Sequence, residues 1–353
     1  MSAVIAAVAS AFPADIHPQA ELADVIAPLI SDDPSKRAVI RRLFEASRVE
    51  TRHLAMPLER YPERLPFGAT NRRFIEVATD LAGRALGAAL DAAGLAPGDV
   101  DLVMFTSVTG IAAPSVDAML VPVLGLRPDV KRIPVYGLGC VAGAAGLARV
   151  DDYLAGHPDE VAVLLAVELC SLTFQHGDDA MANLVASSLF GDGAAAVVMT
   201  GAARSGEDRA GPTIVDSRSH LYPDTEGVIG FDASERGFSV VLTAEVPEVI
   251  ERYFAGDVDA LLGAHGLTIA DVDGWIAHPG GPRVLESFRE SLGLPEGAFG
   301  NSWRSLAAFG NMSSVSVLQI LGEELTDGHP PGTTMLLFAL GPGVSAELVL
   351  LRW

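Results

Sequence analysis

GLAPGDVDLVMF, residues 94–105, and GLTIADVDGWIA, residues 266–277, stand 172 residues apart and read alike. In each, a glycine closes a helix-like run, a short turn follows, and an apolar strand-like run comes next. Glycine is the usual residue just past a helix end, because it takes a left-handed conformation without penalty. Two further pairs keep the same order. GCVAGAAGL from Gly139 lines up with GNMSSVSVL from Gly310, an offset of 171, and GDGAAAVVM (191–199) with GPGVSAELVL (341–350), an offset of 150. Similar pairs at nearly one offset point to a duplicated unit.

Working outward, buried strands are expected at 100–108, 132–138, 160–169, 194–199, 274–278, 333–340 and 345–353. A first strand is expected near the N-terminus. Ala-rich or amphipathic stretches such as NRRFIEVATDLAGRALGAALDAAG (71–94) lie between several of them. That alternation predicts an α/β protein of two halves, 1–220 and 221–353. The change-over is sought between about 200 and 245, where the pattern weakens in GAARSGEDRAGPT.

Composition narrows the function. Of 353 residues, 49% are hydrophobic and 20% charged, which suits a folded globular chain and excludes general disorder. No apolar run reaches the 18 or so residues of a membrane span. The first basic residue is Lys36, so the N-terminus lacks the basic region of a secretory signal, and a cytoplasmic location is expected. The net charge of −21 argues against nucleic-acid binding. Two cysteines give neither a disulfide framework nor a four-thiolate metal site. KRAVIRRLFEASRVETR (36–52) breaks the acidic trend with six basic residues. It reads either as a solvated helix face or as a seat for a phosphorylated ligand.

The repeat also draws attention to Cys140, which follows a glycine where a strand passes into a small-residue helix. Asn311 takes the corresponding place in the second half. Helix N-termini favour anions and can activate a thiol, although most free cysteines are small buried fillers. Cys170, at the end of an apolar strand, keeps the filler reading. His278 ends the strand GWIAH and enters the turn PGG, either as a base for the thiol or as a loop histidine bonded to backbone. Asn311 serves either as a helix N-cap or as a donor to a developing oxyanion.

GLGCVAG, LFGDGAAAVV (189–198), WIAHPGGP (275–282), GNMSS (310–314) and LGPG (340–343) together resemble the type III polyketide synthases, the chalcone synthase-like enzymes. The resemblance spans the whole chain. It implies the thiolase fold, with two pseudo-symmetric α/β halves in a five-layered α-β-α-β-α arrangement, and a homodimer. It implies that Cys140 is the acyl-carrying nucleophile, with His278 and Asn311 as its partners, the imidazole holding the thiolate as an ion pair. It places Phe174 as an aromatic gatekeeper and Val240 where a second aromatic would stand, with Phe238 two residues earlier. Gly341, Pro342 and Gly343 fall beside the substrate pocket. For coenzyme A it implies Arg42, with two family lysines replaced by Val39 and Ala46 and with Arg41 and Arg37 compensating. The substrates implied are acyl-CoA and malonyl-CoA, with no metal or redox cofactor.

TSVTGIAAPS (106–115), ELCSLTF (168–174), DSRSHLYPDT (216–225) and ELVLLRW (347–353) most resemble actinobacterial alkylpyrone and alkylresorcinol synthases. Small residues at Thr109, Ala113 and Cys170 suggest room for a fatty tail, or simply tight helix–sheet packing. Tetrahydroxynaphthalene-type synthases match less well, because they carry a cysteine where Val108 stands. Three rivals remain: a β-ketoacyl synthase III, which would show His-Gln-Ala-Asn in place of HPGG; a Cys-His-Asn acyl-CoA hydrolase; and a non-catalytic acyl-CoA-binding homologue.

Overall fold

The computed structural model describes residues 3–205 and 211–353. In chain order the elements are β1 (Val4–Ala11), β2 (Asp15–Pro18), α1 (Gln19–Ile30), α2 (Pro34–Ala46), β3 (Thr51–Leu54), α3 (Phe67–Ala93), β4 (Leu102–Thr106), α4 (Val116–Leu124), β5 (Lys131–Val135), α5 (Ala142–Gly156), β6 (Val161–Leu169), α6 (Met181–Leu189), β7 (Asp192–Thr200) and α7 (Ala202–Ser205). There follow β8 (Thr213–Leu221), β9 (Ile229–Ser234), β10 (Gly237–Leu242), α8 (Val246–Val249), α9 (Ala255–Ala264), β11 (Gly274–Ala277), α10 (Pro282–Ser291), α11 (Gly300–Phe309), α12 (Ser314–Asp327), β12 (Thr334–Gly341) and β13 (Ser345–Arg352). Among the described residues no helix is long and apolar enough to cross a membrane.

Nine strands run in the order β11-β12-β13-β8-β1-β7-β6-β4-β5. Two sets with one pattern meet at the middle. In the first, β1 pairs antiparallel with β7, β7 antiparallel with β6, and β6 parallel with β4. In the second, β8, β13, β12 and β11 repeat those directions in turn. Between the sets, β1 and β8 share only the pair Val4 and Thr213. Strand β8 pairs along its length with β13 and belongs to the second set. The change-over therefore falls between β7 and β8, earlier than 220/221. Residues 206–210 of the weak stretch lie outside the described residues.

Side-chain alternation along the strands builds the layers. On β6, Val161, Val163, Leu165 and Val167 face a core with α1 to α4, while Ala162, Leu164 and Ala166 face α5 and α12. On β12, Met335, Leu337 and Ala339 face those same two helices, while Leu336, Phe338 and Leu340 face α8 to α11. The result is helix, sheet, helix pair, sheet, helix: the five-layered thiolase fold. Strands buried on both faces read as continuous apolar runs, which is why they were legible.

The first repeat pair is matched in atomic detail. Helix α3 buries a stripe from Phe74 through Ala78, Leu81, Ala85 and Ala89, and ends at Gly94, φ 66°. The Asp99 carboxylate then accepts from Ala96 N–H at 2.8 Å, and Asp101 accepts from Val161 N–H at 2.9 Å. In the second half Asp271 accepts from Thr268 N–H and Asp273 from Thr334 N–H, both at 2.8 Å.

The middle layer sets the tolerance of the fold. A Cβ added at Gly143 on α5 would stand 2.4 Å from the Ser314 carbonyl oxygen and 2.7 Å from Val317 on α12. Overpacking of this kind costs about 1–3 kcal/mol. Gly143→Ala is expected to lower the thermal unfolding midpoint by several degrees, whereas Gly87→Ala, at a site with nothing within 4 Å, leaves it unchanged or raised. Differential scanning calorimetry of the pair checks this.

Candidate active site

Cys140 sits in a single helical turn, Gly139–Val141, that leads into α5, and its residue is partly exposed. Gly139 has φ 57°, and a Cβ there would meet Pro342 at 2.6 Å. Glycine is thus required twice over. A Cβ at Gly341 would stand 3.0 Å from Leu138 O and from Val141 N. Gly341 and Pro342, expected beside the pocket, pack against the turn that carries the thiol, while Gly343 lies against Leu221 and accepts from Thr225 Oγ1. They do not line the cavity described below.

The second half brings a strained turn to the same place. Asn311 Oδ1 accepts from Ser313 N–H at 2.8 Å, and its Nδ2 donates weakly to Gly280 O at 3.4 Å. Ser313 has φ 51°, uncommon for a residue with a side chain and frequent at functional sites. Helix α12 starts at Ser314, so Asn311 is not its N-cap. The carbonyl is committed to the turn, and the amide keeps donor capacity to spare.

His278 follows β11, its backbone N–H bonded to Phe338 O at 2.9 Å, and it is 2% exposed. Neither ring nitrogen has a hydrogen-bond partner, and neither does the buried Ser313 hydroxyl. Leaving such groups unmade costs about 1–3 kcal/mol apiece. The Ser313 hydroxyl nevertheless lies near enough to the Cys140 sulfur and the Glu168 carboxyl to favour the charged form of each. Contacts therefore run from Cys140 through Ser313 and Asn311 to Gly280, two residues from His278.

Glu168, at the end of β6, had no sequence signal of its own. It is fully buried and accepts from Val108 N–H at 3.1 Å, Thr109 Oγ1 at 3.1 Å and Ser314 Oγ at 2.8 Å. Burial raises its pKa to about 7 against those donors. Burial also pushes the Cys140 thiol up to about 12, with Glu168 adding to the rise, and pushes His278 down to about 3. In the substrate-free site burial thus disfavours both the thiolate and the imidazolium.

A cavity of about 640 Å³, measured out to its mouth, opens beyond Glu168. Thr109, Cys170, Phe174 and Val240 line it as expected. Ala113 does not: it is exposed, in a loop where Asn71 bonds both Ile111 O and Ile111 N–H. Phe238 packs edge-on against Phe67 instead of facing the cavity. Three aromatics were missed. Tyr61 and Phe190, the latter visible only as part of LFGDG, line the wall, and so does Phe231, which lies opposite Val240 in the β9–β10 hairpin. The hairpin register was the signal that could have found Phe231.

A second groove, about 1310 Å³ out to its open mouth, runs between α2 and the Gly280–Val284 segment. Of the three arginines expected as coenzyme A contacts, none lines this groove; Arg37 is bound to Ser31 O and Asp32, and Arg41 to Asp24. Arg42 has only a long bond to Ala38 O, at 3.4 Å.

The duplicated layers, with a thiol at the start of one central helix and an Asn-Ser turn before the other, define a thiolase-fold condensing enzyme. Residues 1–203 match the family model for the N-terminal domain of chalcone and stilbene synthases, and residues 213–353 match the one for the C-terminal domain. The chain is 51% identical over 350 residues to a 1,3,6,8-tetrahydroxynaphthalene synthase of Streptomyces peucetius subsp. caesius, covering 99% of this chain and 93% of the relative. It is 34% identical over 354 residues to the alpha-pyrone synthesis polyketide synthase-like Pks18 of Mycobacterium tuberculosis, covering 98% and 90%. The crystal structure of 1,3,6,8-tetrahydroxynaphthalene synthase from Streptomyces coelicolor A3(2) superposes with a TM-score of 0.92 at 31% identity, covering 100% and 99%. The chain belongs to the chalcone and stilbene synthase family, the type III polyketide synthases, which transfer acyl groups and condense them with loss of CO2.

In a Cys170→Ala background, alkylation of Cys140 by iodoacetamide is expected to be slow at pH 7. It should rise about tenfold per pH unit towards pH 10, as the thiolate fraction grows. A rate flat from pH 6 upward would mean a preformed thiolate. Glu168→Gln removes a negative charge beside the sulfur and is expected to shift the profile to lower pH.

Proposed function

We propose that Cys140 carries the growing acyl chain and that His278 and Asn311 hold the thioester oxygen during condensation. Cys140 Sγ attacks the carbonyl of an acyl-CoA starter, its proton passes to His278, and coenzyme A leaves as the thiol. Malonyl-CoA then loses CO2, and its thioester oxygen becomes an enolate oxygen held by N–H groups of His278 and Asn311. The enolate carbon attacks the acyl group on Cys140, forming the carbon–carbon bond and releasing the sulfur. Repetition and ring closure follow, with no metal or redox cofactor in the cycle. The observation that carries this reading is the buried imidazole with two unpartnered nitrogens, next to an asparagine amide with donors to spare.

The starter in this reading is a medium- or long-chain fatty acyl-CoA, and the product an alkylpyrone or alkylresorcinol. Leu22, Ile26, Leu54, Phe190, Phe231 and Val240 give the cavity an apolar wall, and each buried CH2 contributes about 0.8 kcal/mol. Likeness to the mycobacterial pyrone synthase supports it. A second reading, malonyl-CoA alone giving a naphthalene product, is favoured by the 51% identity to the Streptomyces peucetius enzyme. We also read the working unit as a homodimer, because β5 is an edge strand with Ile133 44% exposed and Tyr136 54% exposed beyond its end.

Products from malonyl-CoA with short, aromatic and long acyl-CoA starters, and from malonyl-CoA alone, are read by mass spectrometry. Pyrone or resorcinol masses with fatty tails support the first reading, and a naphthalene product from malonyl-CoA alone supports the second. Free acid alone would sink both. Cys140→Ala is expected to abolish products. Asn311→Asp keeps the acceptor for Ser313 N–H but loses the amide donor. It is expected to lower turnover about 10²–10³-fold, the effect of losing one oxyanion donor, with unchanged circular dichroism.

A further inference from the structure

Resting on the coenzyme A substrates proposed above, the geometry points to Arg283 as a phosphate contact for the nucleotide end of those thioesters, acting with Arg42 across the groove. The inner end of the groove is formed by Gly280, Gly281 and Pro282, which directly follow His278. Leu189, whose carbonyl accepts from Asn311 N–H at 2.8 Å, lines it as well. A thioester reaching His278 through this groove leaves its other end between α2 and α10.

Two cations remain for that end. On α2, Lys36 is paired with Asp179, Arg37 with Asp32 and Arg41 with Asp24. On α10, Arg289 is paired with Glu290. Beyond α2, Arg48 is held by Glu286 and lies over the Trp303 ring. Among the described residues of the two helices, only Arg42 and Arg283 have no acidic partner. Both are exposed, and Arg283 itself lines the groove. Arg42 precedes Ala46, a lining residue, by one helical turn and so shares its face.

The chemistry suits a polyphosphate. The chain carries a net charge of −21, so a highly charged anion gains nothing from the protein as a whole and needs local cations. Guanidinium groups meet phosphate oxygens bidentately, which a point charge does not. Of the three places the resemblance implies, α2 keeps a cation only at Arg42, with Val39 and Ala46 at the other two. Arg283 restores positive charge from the opposite wall.

The test compares two donors. Malonyl-CoA carries the nucleotide phosphates, whereas malonyl-N-acetylcysteamine keeps the thioester and lacks them. Arg283→Ala is expected to raise KM for malonyl-CoA about tenfold with kcat within twofold, and to flatten the salt dependence of kcat/KM. It should leave both constants for malonyl-N-acetylcysteamine unchanged. Arg289→Ala serves as the control. Binding of coenzyme A alone, followed calorimetrically, reads the same contact without turnover. An equal loss with both donors, or unchanged KM and calorimetric affinity, would overturn the role of Arg283 while leaving the synthase reading intact. A wild-type protein that neither binds coenzyme A nor turns over malonyl-CoA would overturn both.

Discussion

The structure depends on how closely α5 and α12 approach in the middle layer. Gly143 admits the Ser314 carbonyl to a distance no side chain would tolerate, and Gly146 does the same for Leu164 of β6. Small residues on these helices are therefore a packing requirement before they are anything chemical. Because the helices are related by the duplication, closing one contact fixes both N-terminal turns. One turn carries Cys140 and the other carries Ser313. The catalytic arrangement proposed above thus follows from the core of the fold, and not from mobile surface loops.

Burial has a second consequence there. Packing between two sheets strips water from Cys140, His278 and Glu168 together, and each is pushed towards its neutral form. A thiol at a helix start would be acidic in a more open setting. Here desolvation and the nearby carboxyl act against the helix field. In the cycle proposed above, charge is accommodated once substrate brings an oxygen for His278 and Asn311 to bind. The unpartnered imidazole nitrogens and the strained Ser313 are local costs that the surrounding layers over-determine.

The two cavities divide the labour. Helix α6 separates them, with Ala186 and Ser187 facing the inner cavity and Val185 and Ser188 facing the open groove. The inner cavity has a mostly apolar surface and is lined by Thr109 and Cys170. The outer groove is bordered by α2 and by the loop that follows His278. In the reading proposed above, the first takes the carbon chain and the second the polar carrier.

The buried strands and the duplication were legible in the sequence, since doubly buried strands must be continuously apolar and a repeat of turn, strand and helix folds alike twice; the five layers were an implication of the family resemblance. The sequence also marked Cys140, His278 and Asn311, because each stands where an element ends and local signals are strongest. Tertiary structure alone decided what surrounds them. Glu168 gains its role from Ser314, 146 residues away, and Phe231 reaches the cavity only through the hairpin register. Ala113 is exposed and absent from the cavity lining, and Arg41 pairs with Asp24 of α1. Local patterns record backbone preference and burial, whereas these assignments rest on contacts between residues distant along the chain, which exist only once the layers have closed.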